Sequence, residues 1–97
     1  MNKGYKVLLT YGPDEPWWFF DDWHKLIQQE WYFQTQKEAI SKYFMEFKKI
    51  SQRYDYVLEH PPYQAAFWNK HEVYYCEPCA DYVQYYQGLL LLSLTDN

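Results

Sequence analysis

The stretch from Pro16 to Trp23 constrains the fold of this chain more than any other. It reads Pro-Trp-Trp-Phe-Phe-Asp-Asp-Trp, so five of its eight side chains are large aromatic rings. Each ring can bury roughly 150–250 Å². At about 25 cal/mol per Å² the five rings together give an upper limit of roughly 20–30 kcal/mol. We therefore expect the rest of a small domain to be arranged round this segment.

Neither regular periodicity places these rings on one face. In a strand Trp17 points away from Trp18, and in a helix the five rings surround the axis. Two interpretations stay open. Either the rings are covered on both sides as core, or one side is bare and forms a binding surface.

Length and composition limit the class of protein. The 97 residues predict a single domain, 1–97, and the net charge of −4 disfavours nucleic-acid binding unless the nine basic residues cluster. The two cysteines lie too close in sequence for a secreted disulfide framework. Neither the N-terminus nor the longest aliphatic run, Leu89–Leu92, is a signal peptide or a membrane span. We expect a cytoplasmic protein without membrane association.

Local patterns predict the first elements of the chain. β-branched and aromatic residues predict a strand at Tyr5–Tyr11, which two prolines and a glycine then end. A short helix of about two turns follows Asp22, which can cap it. A short strand is predicted next, at Glu30–Phe33.

A long helix is the best-defined element of the sequence. It begins near Gln36, because Thr35 and Glu38 form a capping-box pattern. Its apolar positions repeat at threes and fours and predict one core face: Ala39, Ile40, Tyr43, Phe44, Phe47, Ile50 and Tyr54. The opposite face carries Lys42, Lys49 and Arg53, with Glu38 and Glu46 spaced to pair with them.

The second half begins after a break at Glu59–Pro62. Strands are predicted at Gln64–Trp68 and Glu72–Cys76, paired as a hairpin through a short polar loop. A helix opens at Pro78, buries Cys79, Tyr82, Val83 and Tyr86, and ends at Gly88 as a left-handed cap. The last strand, Leu89–Leu94, is apolar enough to lie inside the sheet.

These elements predict an α+β fold. Apart from the aromatic insertion, their order is βαββαβ, that of ferredoxin-like proteins. We expect a small antiparallel or mixed sheet with two helices on one face. The extra strand at Glu30–Phe33 and the short helix after Asp22 leave other sheet orders open.

Three motifs together resemble those of a known family. They are Glu15–Trp23 after an N-terminal strand, Ala66–Asn69 (AFWN), and the Cys76 and Cys79 pair followed by Tyr86–Leu89 (YQGL). Over nearly its whole length the chain resembles a small uncharacterised family of Gram-positive bacteria, domain of unknown function 1033. The family that the chain resembles has no assigned activity, so the resemblance implies none for this chain. Some members are labelled DNA-binding proteins associated with competence operons.

The sequence Cys76-Glu77-Pro78-Cys79 has more than one interpretation. It is similar to the thioredoxin-type redox motif, in which a helix N-terminus favours the thiolate. Only 18 residues follow Cys79, too few for the second half of that fold, so we favour two half-buried structural cysteines. Zinc would require two further ligands, from His24, His60 or a symmetric partner, and we predict no metal site.

No catalytic constellation stands out. Asp21, Asp22 and His24 lie beside an apolar wall, but Asp22 is accounted for as a helix cap and the other two as exposed residues. The sequence has no phosphate loop, nucleophile elbow or metal-ligand spacing. We expect a protein that is not an enzyme and uses no cofactor.

The leading hypothesis is a binding or adaptor protein whose aromatic segment contacts an unidentified protein partner. The predicted contact residues are Trp17, Trp18, Phe19, Trp23 and Trp68, because such rings dominate protein interfaces. Proline before the rings and carboxylates around them supply rigidity and a polar rim. The alternative is a nucleic-acid-binding protein in which exposed rings stack on bases and Lys42, Lys49 and Arg53 form a basic stripe. The oligomeric state stays open.

Overall fold

The computed structural model describes residues 4–18 and 23–94. These residues form a five-stranded antiparallel sheet, one α-helix and a separate two-stranded hairpin. In chain order the elements are β1 Gly4–Gly12, a 3₁₀ turn Trp23–Leu26, β2 Ile27–Phe33, α1 Gln36–Ser51, β3 Tyr56–His60, β4 Gln64–Trp68, β5 Val73–Cys76, β6 Asp81–Gln84 and β7 Tyr86–Leu94. The strand order of the large sheet is β2-β1-β7-β4-β3.

The central strand of the sheet is β7. It pairs antiparallel with β1 along its whole length, from Gly4 opposite Leu94 to Gly12 opposite Tyr86, and with β4 on its other edge. An interior strand meets apolar side chains on both faces, which is why five of its nine residues are leucine. The prediction that the last strand lies inside the sheet is confirmed.

One face of the sheet packs against α1. The buried cluster between them consists of Val7, Ala39, Tyr43, Ile50, Ala65, Phe67 and Leu89. The helix begins where predicted, because the Thr35 hydroxyl oxygen accepts a hydrogen bond from the Glu38 N–H over 3.2 Å. No helix within the described residues is long and apolar enough to cross a membrane.

The predicted core face of α1 is partly wrong. The residues buried against the sheet are Ala39, Tyr43, Glu46 and Ile50. Phe44 lies one residue, about 100°, round the helix from this stripe and is exposed. Its ring packs instead on the edges of the Tyr43 and Tyr63 rings.

The second face of the sheet, opposite α1, is covered in part by the aromatic segment. Alternation along the strands points Leu8, Ala66 and Leu90 to this face, and all three are fully buried. Pro16 lies over the centre of the sheet, so close that a Cβ atom on Gly88 would be 2.7–2.9 Å from its ring atoms. The insertion is therefore part of the fold.

The predicted fold class is wrong. The described residues contain seven strands and a single α-helix, not two helices on one face of a ferredoxin-like sheet. The helix predicted from Pro78 to Gly88 is instead a turn, β6 and the start of β7. Tyr82 and Val83 fit a helical spacing, but they are also good strand formers, and they pair with Tyr75 and Tyr74 of β5.

Three further predictions need correction. The segments Gln64–Trp68 and Val73–Cys76 are strands, but they do not pair, because β4 lies between β3 and β7 while β5 pairs with β6. β3 is an unpredicted strand that runs up to the prolines at 61 and 62. The short helix predicted after Asp22 is a four-residue 3₁₀ turn that leads directly into β2.

Candidate functional site

A tight turn positions the aromatic side chains of the insertion. The backbone N–H of Trp18 donates to the Glu15 carbonyl oxygen over 3.3 Å, and Pro16 occupies the second position of this turn. Proline fixes the backbone angle that the position requires. Pro16 is buried, Trp17 is half-buried and Trp18 is exposed. The turn thus directs consecutive residues into different environments.

Trp18 forms one wall of an open cleft with a volume of about 340 Å³. Its described lining residues are Thr10, Pro13, Asp14, Glu15, Pro16, Trp18, Trp23, Lys25 and Leu26. We call this site the aromatic cleft. Thr10 is buried in β1, and the Trp18 side chain is 55% exposed. A large part of the tryptophan surface therefore faces solvent.

The 3₁₀ turn Trp23–Leu26 supplies another part of the lining. Leu26 packs against Gly12 at the end of β1, where a Cβ atom would be 2.9 Å from the leucine methyl carbons. The Trp23 ring lies 4.1 Å from the ring of His24, which is itself exposed. The close contact at Gly12 fixes this turn against the sheet.

The charged lining of the aromatic cleft is mainly acidic. Among the described residues, Asp14 and Glu15 line it together with one cation, Lys25. The pKa of the neighbouring Tyr86 hydroxyl is raised, first by burial and then by the negative charges of Glu15 and Asp14. The two carboxylates therefore act on the same local region and favour a cationic ligand.

Trp68 lies in a separate cluster on the second face. Its ring stacks on Tyr56 with centroids 5.5 Å apart and meets the edge of Tyr86 at 5.5 Å. The Lys70 ammonium lies 5.5 Å from the centre of the Tyr56 ring. Trp68 is half-buried by these neighbours and does not line the aromatic cleft.

The structure brings together only some of the predicted contact residues. Trp18 and Trp23 share the aromatic cleft, whereas Trp17 packs its ring against His60 with centroids 4.9 Å apart. Phe19 lies outside the described residues, as do Asp21 and Asp22. Sequence reasoning missed Thr10 and Leu26, since only the strand register and the 3₁₀ turn bring them to the cleft.

The three cations of the predicted basic stripe are not all free. Lys42 is only 19% exposed; its Nζ lies 3.0 Å from Glu46 Oε2 and 4.2 Å from the centre of the Trp31 ring. Lys49 Nζ lies 3.4 Å from the same carboxylate oxygen. Burial acts to raise the pKa of Glu46, but the hydrogen bonds and charges of the two lysines outweigh it, so this pKa is lowered. Arg53 has no ion pair within the described residues.

A second, polar groove of about 700 Å³ lies between the C-terminal half of α1 and the sheet. Lys49 and Arg53 line it, together with Gln87 of β7. The buried Gln87 amide donates to the Thr10 carbonyl oxygen over 2.7 Å and to Gln28 Oε1 over 2.9 Å. These bonds connect the groove to Thr10, which also lines the aromatic cleft.

Cys76 and Cys79 are joined by a disulfide bond across the turn between β5 and β6. The predicted strand–helix junction is wrong here, because the chain turns straight back into a strand. Ala80, next to Cys79, has a φ of 55°, which places it in the left-handed region. Among the residues that the structure describes, no three His, Cys, Asp or Glu side chains are placed to hold a metal ion together.

Comparison with known proteins gives a family but no activity. A family model described as "Protein of unknown function (DUF1033)" matches residues 4–97. No curated protein and no solved structure matches the chain. The role of the aromatic cleft therefore has to be inferred from its own side chains.

Proposed function

We propose that this chain, which belongs to the DUF1033 family of proteins of unknown function, is a non-enzymatic binding protein whose aromatic cleft receives an apolar side chain of a protein partner. The observation that carries the proposal is Trp18, 55% exposed on the wall of an already formed cleft. Tryptophan anchors supply a large share of the affinity in protein interfaces. The cytoplasmic location stays a prediction.

The cleft is organised before any partner binds. The Glu15–Trp18 turn is closed by a backbone hydrogen bond and stiffened by Pro16, which in turn is seated on the sheet above Gly88. A binding site that is already ordered loses less conformational entropy on association. This rigidity supports recognition over a purely structural role for the exposed ring.

The size of the cleft fits a small insertion. A volume of about 340 Å³ is near the lower end of the range of about 300–1,000 Å³ typical of ligand sites. Such a space suits one large side chain better than an extended cofactor. We infer that a single apolar residue of the partner enters between Trp18 and Trp23.

The charges beside the cleft indicate what surrounds that residue. Asp14 and Glu15 outnumber Lys25 among the described lining residues. Charge complementarity at the rim of an interface directs the partner and fixes its orientation. The partner segment therefore carries lysine or arginine next to its apolar residue.

The same charges weigh against the nucleic-acid alternative. Phosphates that approach the cleft meet the carboxylates of Asp14 and Glu15. On α1, Lys42 and Lys49 are already paired with Glu46. Two of the three cations of the predicted stripe are therefore already neutralised, and release of counterions by free cations is the main source of affinity in nonspecific binding.

Short peptides provide the test. Two peptides share a central leucine and tryptophan, flanked by lysines in one and by glutamates in the other, and each is titrated into the isotope-labelled full chain. We expect the lysine peptide to shift the amide signals of Thr10, Trp18 and Leu26, and the glutamate peptide to leave them unchanged. Trp18→Ala should weaken the binding of the lysine peptide by at least about tenfold, since loss of an anchor of this type typically exceeds 1.4 kcal/mol.

Tyr32→Ala is the matched control. Tyr32 is also an exposed aromatic residue, but it lies on β2 and does not line the cleft. This variant should bind the lysine peptide like the wild type. Equal binding by the Trp18 variant and the wild type, with circular dichroism showing that both are folded, would refute the proposed role of the cleft.

A further inference from the structure

The disulfide bond between Cys76 and Cys79 lies outside the aromatic cleft and has no part in the binding function proposed above. Cys76 ends β5, and Cys79 lies in the turn that leads to β6. We propose that this bond is a reversible dithiol–disulfide couple that exchanges with dithiol reductants while the protein stays folded.

The hairpin does not need the bond to keep its shape. The ring closes only residues 76–79, and a ring this short removes little freedom from the unfolded chain. β5 and β6 are joined by four register pairs, from Val73 opposite Gln84 to Cys76 opposite Asp81. The stability that a disulfide gives to the fold equals the stability that the fold gives to the disulfide, because folding and reduction are thermodynamically linked. A disulfide that stabilises the fold only slightly is therefore only slightly protected against reduction by folding.

The base of the hairpin is held by other groups. The Gln84 side-chain amide donates to the Asn69 and Glu72 carbonyl oxygens over 2.8 and 3.1 Å. The Tyr85 N–H also donates to the Glu72 carbonyl over 3.0 Å, and the Tyr11 hydroxyl donates to the Glu72 carboxylate over 2.7 Å. These bonds lie at the far end of the hairpin from the disulfide and persist when it opens.

The two cysteine residues differ in exposure. Cys79 is exposed, as are the adjacent Pro78 and Ala80, whereas Cys76 is half-buried at the end of its strand. Thiol–disulfide exchange requires an attacking thiolate to reach one sulfur atom directly. Cys79 Sγ is therefore the sulfur that is attacked, and Cys76 is the leaving group.

The exchange balances with a dithiol as the reductant. One reductant thiolate forms a bond to Cys79 Sγ while the Cys76–Cys79 bond breaks, and Cys76 leaves as a thiolate that takes up a proton. The second thiolate of the reductant then attacks the reductant sulfur that is bonded to Cys79. This closes the reductant's own disulfide and releases Cys79 as a thiolate. Two electrons pass to the cysteine pair, and the reductant becomes a cyclic disulfide.

The reaction has a local structural readout. The rings of Tyr75 and Tyr82 lie 5.3 Å apart across the hairpin, one residue from the Cys76–Asp81 pair, and both are exposed. Reduction of the disulfide frees the turn between β5 and β6, which borders these tyrosines. Their resonances should shift on reduction, while those of the Gln84 amide at the base stay in place.

Wild-type protein provides the principal test. The full chain is incubated with mixtures of reduced and oxidised dithiothreitol, quenched with acid, alkylated and analysed by mass spectrometry, with circular dichroism recorded in parallel. Both cysteines should be reduced together in the folded chain, at a rate within about tenfold of that in the urea-unfolded chain. Reduction only at urea concentrations that unfold the sheet would overturn the proposal and make the bond purely structural.

A matched pair of variants tests which sulfur is attacked. Cys76→Ser leaves the exposed Cys79 thiol, and Cys79→Ser leaves the half-buried Cys76 thiol. With Ellman's reagent, we expect the Cys79 thiol to react at least about fivefold faster, since access limits exchange. Equal rates, or a faster Cys76, would overturn the assignment of Cys79 as the attacked atom.

Discussion

Gly88 allows the aromatic segment to lie on the sheet. It is the third residue of β7, opposite Thr10 of β1 and Ala66 of β4, with Pro16 above it. A Cβ atom at this position would be 2.7–2.9 Å from the proline ring and would also collide with the Thr10 hydroxyl. Glycine is required here by close approach rather than by backbone conformation, and not as the helix cap that the sequence predicts.

Gly88→Ala should therefore destabilise the protein. Overpacking of this kind costs about 1–3 kcal/mol, measured as a fall in the free energy of unfolding in urea. Gly4→Ala is the control, because its Cβ atom would approach no described atom closer than 3.1 Å, and it should cost under about 1 kcal/mol. A Gly88→Ala variant as stable as the wild type would show that Pro16 is not held on the sheet.

At the scale of single elements, α1 is predictable and β6 is not. The start of α1 depends on Thr35 and Glu38, which interact within one turn, so the information is local. β6 depends on pairing with β5 after a tight turn, and the tyrosines and valine of the region satisfy helical and strand periodicities alike. The pairing with β5 decides between the two, and the periodicity of this segment alone does not reveal that pairing.

The docking of α1 should depend on pH through Glu46. This residue is 6% exposed, and its two lysine partners lower its pKa below the ordinary value of 4.5. Since the folded pKa is lower than the unfolded one, the contribution to stability is fully present above about pH 4.5 and is lost as the pH falls through the folded pKa. Glu46→Gln should remove this contribution.

Urea unfolding at a series of pH values measures the effect. At pH 7 we expect Glu46→Gln to lose about 1–2 kcal/mol, less than the figure for a fully buried ion pair, because Lys49 is 62% exposed. The difference from the wild type should shrink as the pH falls below 4.5. Glu38→Gln, on the exposed first turn, serves as the control for loss of a surface charge, because glutamine can still accept the hydrogen bond from the Thr35 hydroxyl. A difference that stays constant down to pH 2.5 would contradict the role given to Glu46.

Across the whole molecule, the sheet is covered differently on its two faces. α1 covers one face, and the turn that carries Pro16 covers part of the other. The density of aromatic rings predicts that the fold is arranged round this segment. It does not predict that Pro16 is buried while Trp18 is exposed. That division follows from the turn together with the register of β1 and β7, which places Thr10 opposite Gly88. The candidate site could be located from the sequence, whereas its shape could not.

The charge distribution of the whole molecule predicts how it meets nucleic acid. The net charge is −4, and Glu46 already binds two of the three cations proposed for a basic stripe, which leaves Arg53. The carboxylates of Asp14 and Glu15 stand beside the exposed Trp18 and repel phosphates that approach the ring. We expect no binding to duplex DNA at about 150 mM salt, and binding to single strands weaker than about 100 μM.

Fluorescence anisotropy with labelled single- and double-stranded oligonucleotides at about 50 and 150 mM salt measures both quantities. Glu46→Gln is an informative variant, because it releases Lys42 and Lys49 without adding a cation. If α1 has any latent affinity for phosphates, this variant should bind more tightly than the wild type, and most clearly at low salt. Micromolar binding by the wild type, abolished by charge reversal at Lys49 and Arg53, would instead favour the DNA-binding label. That outcome would require the cations of the helix to attract the phosphates of the nucleic acid more strongly than the carboxylates of the aromatic cleft repel them.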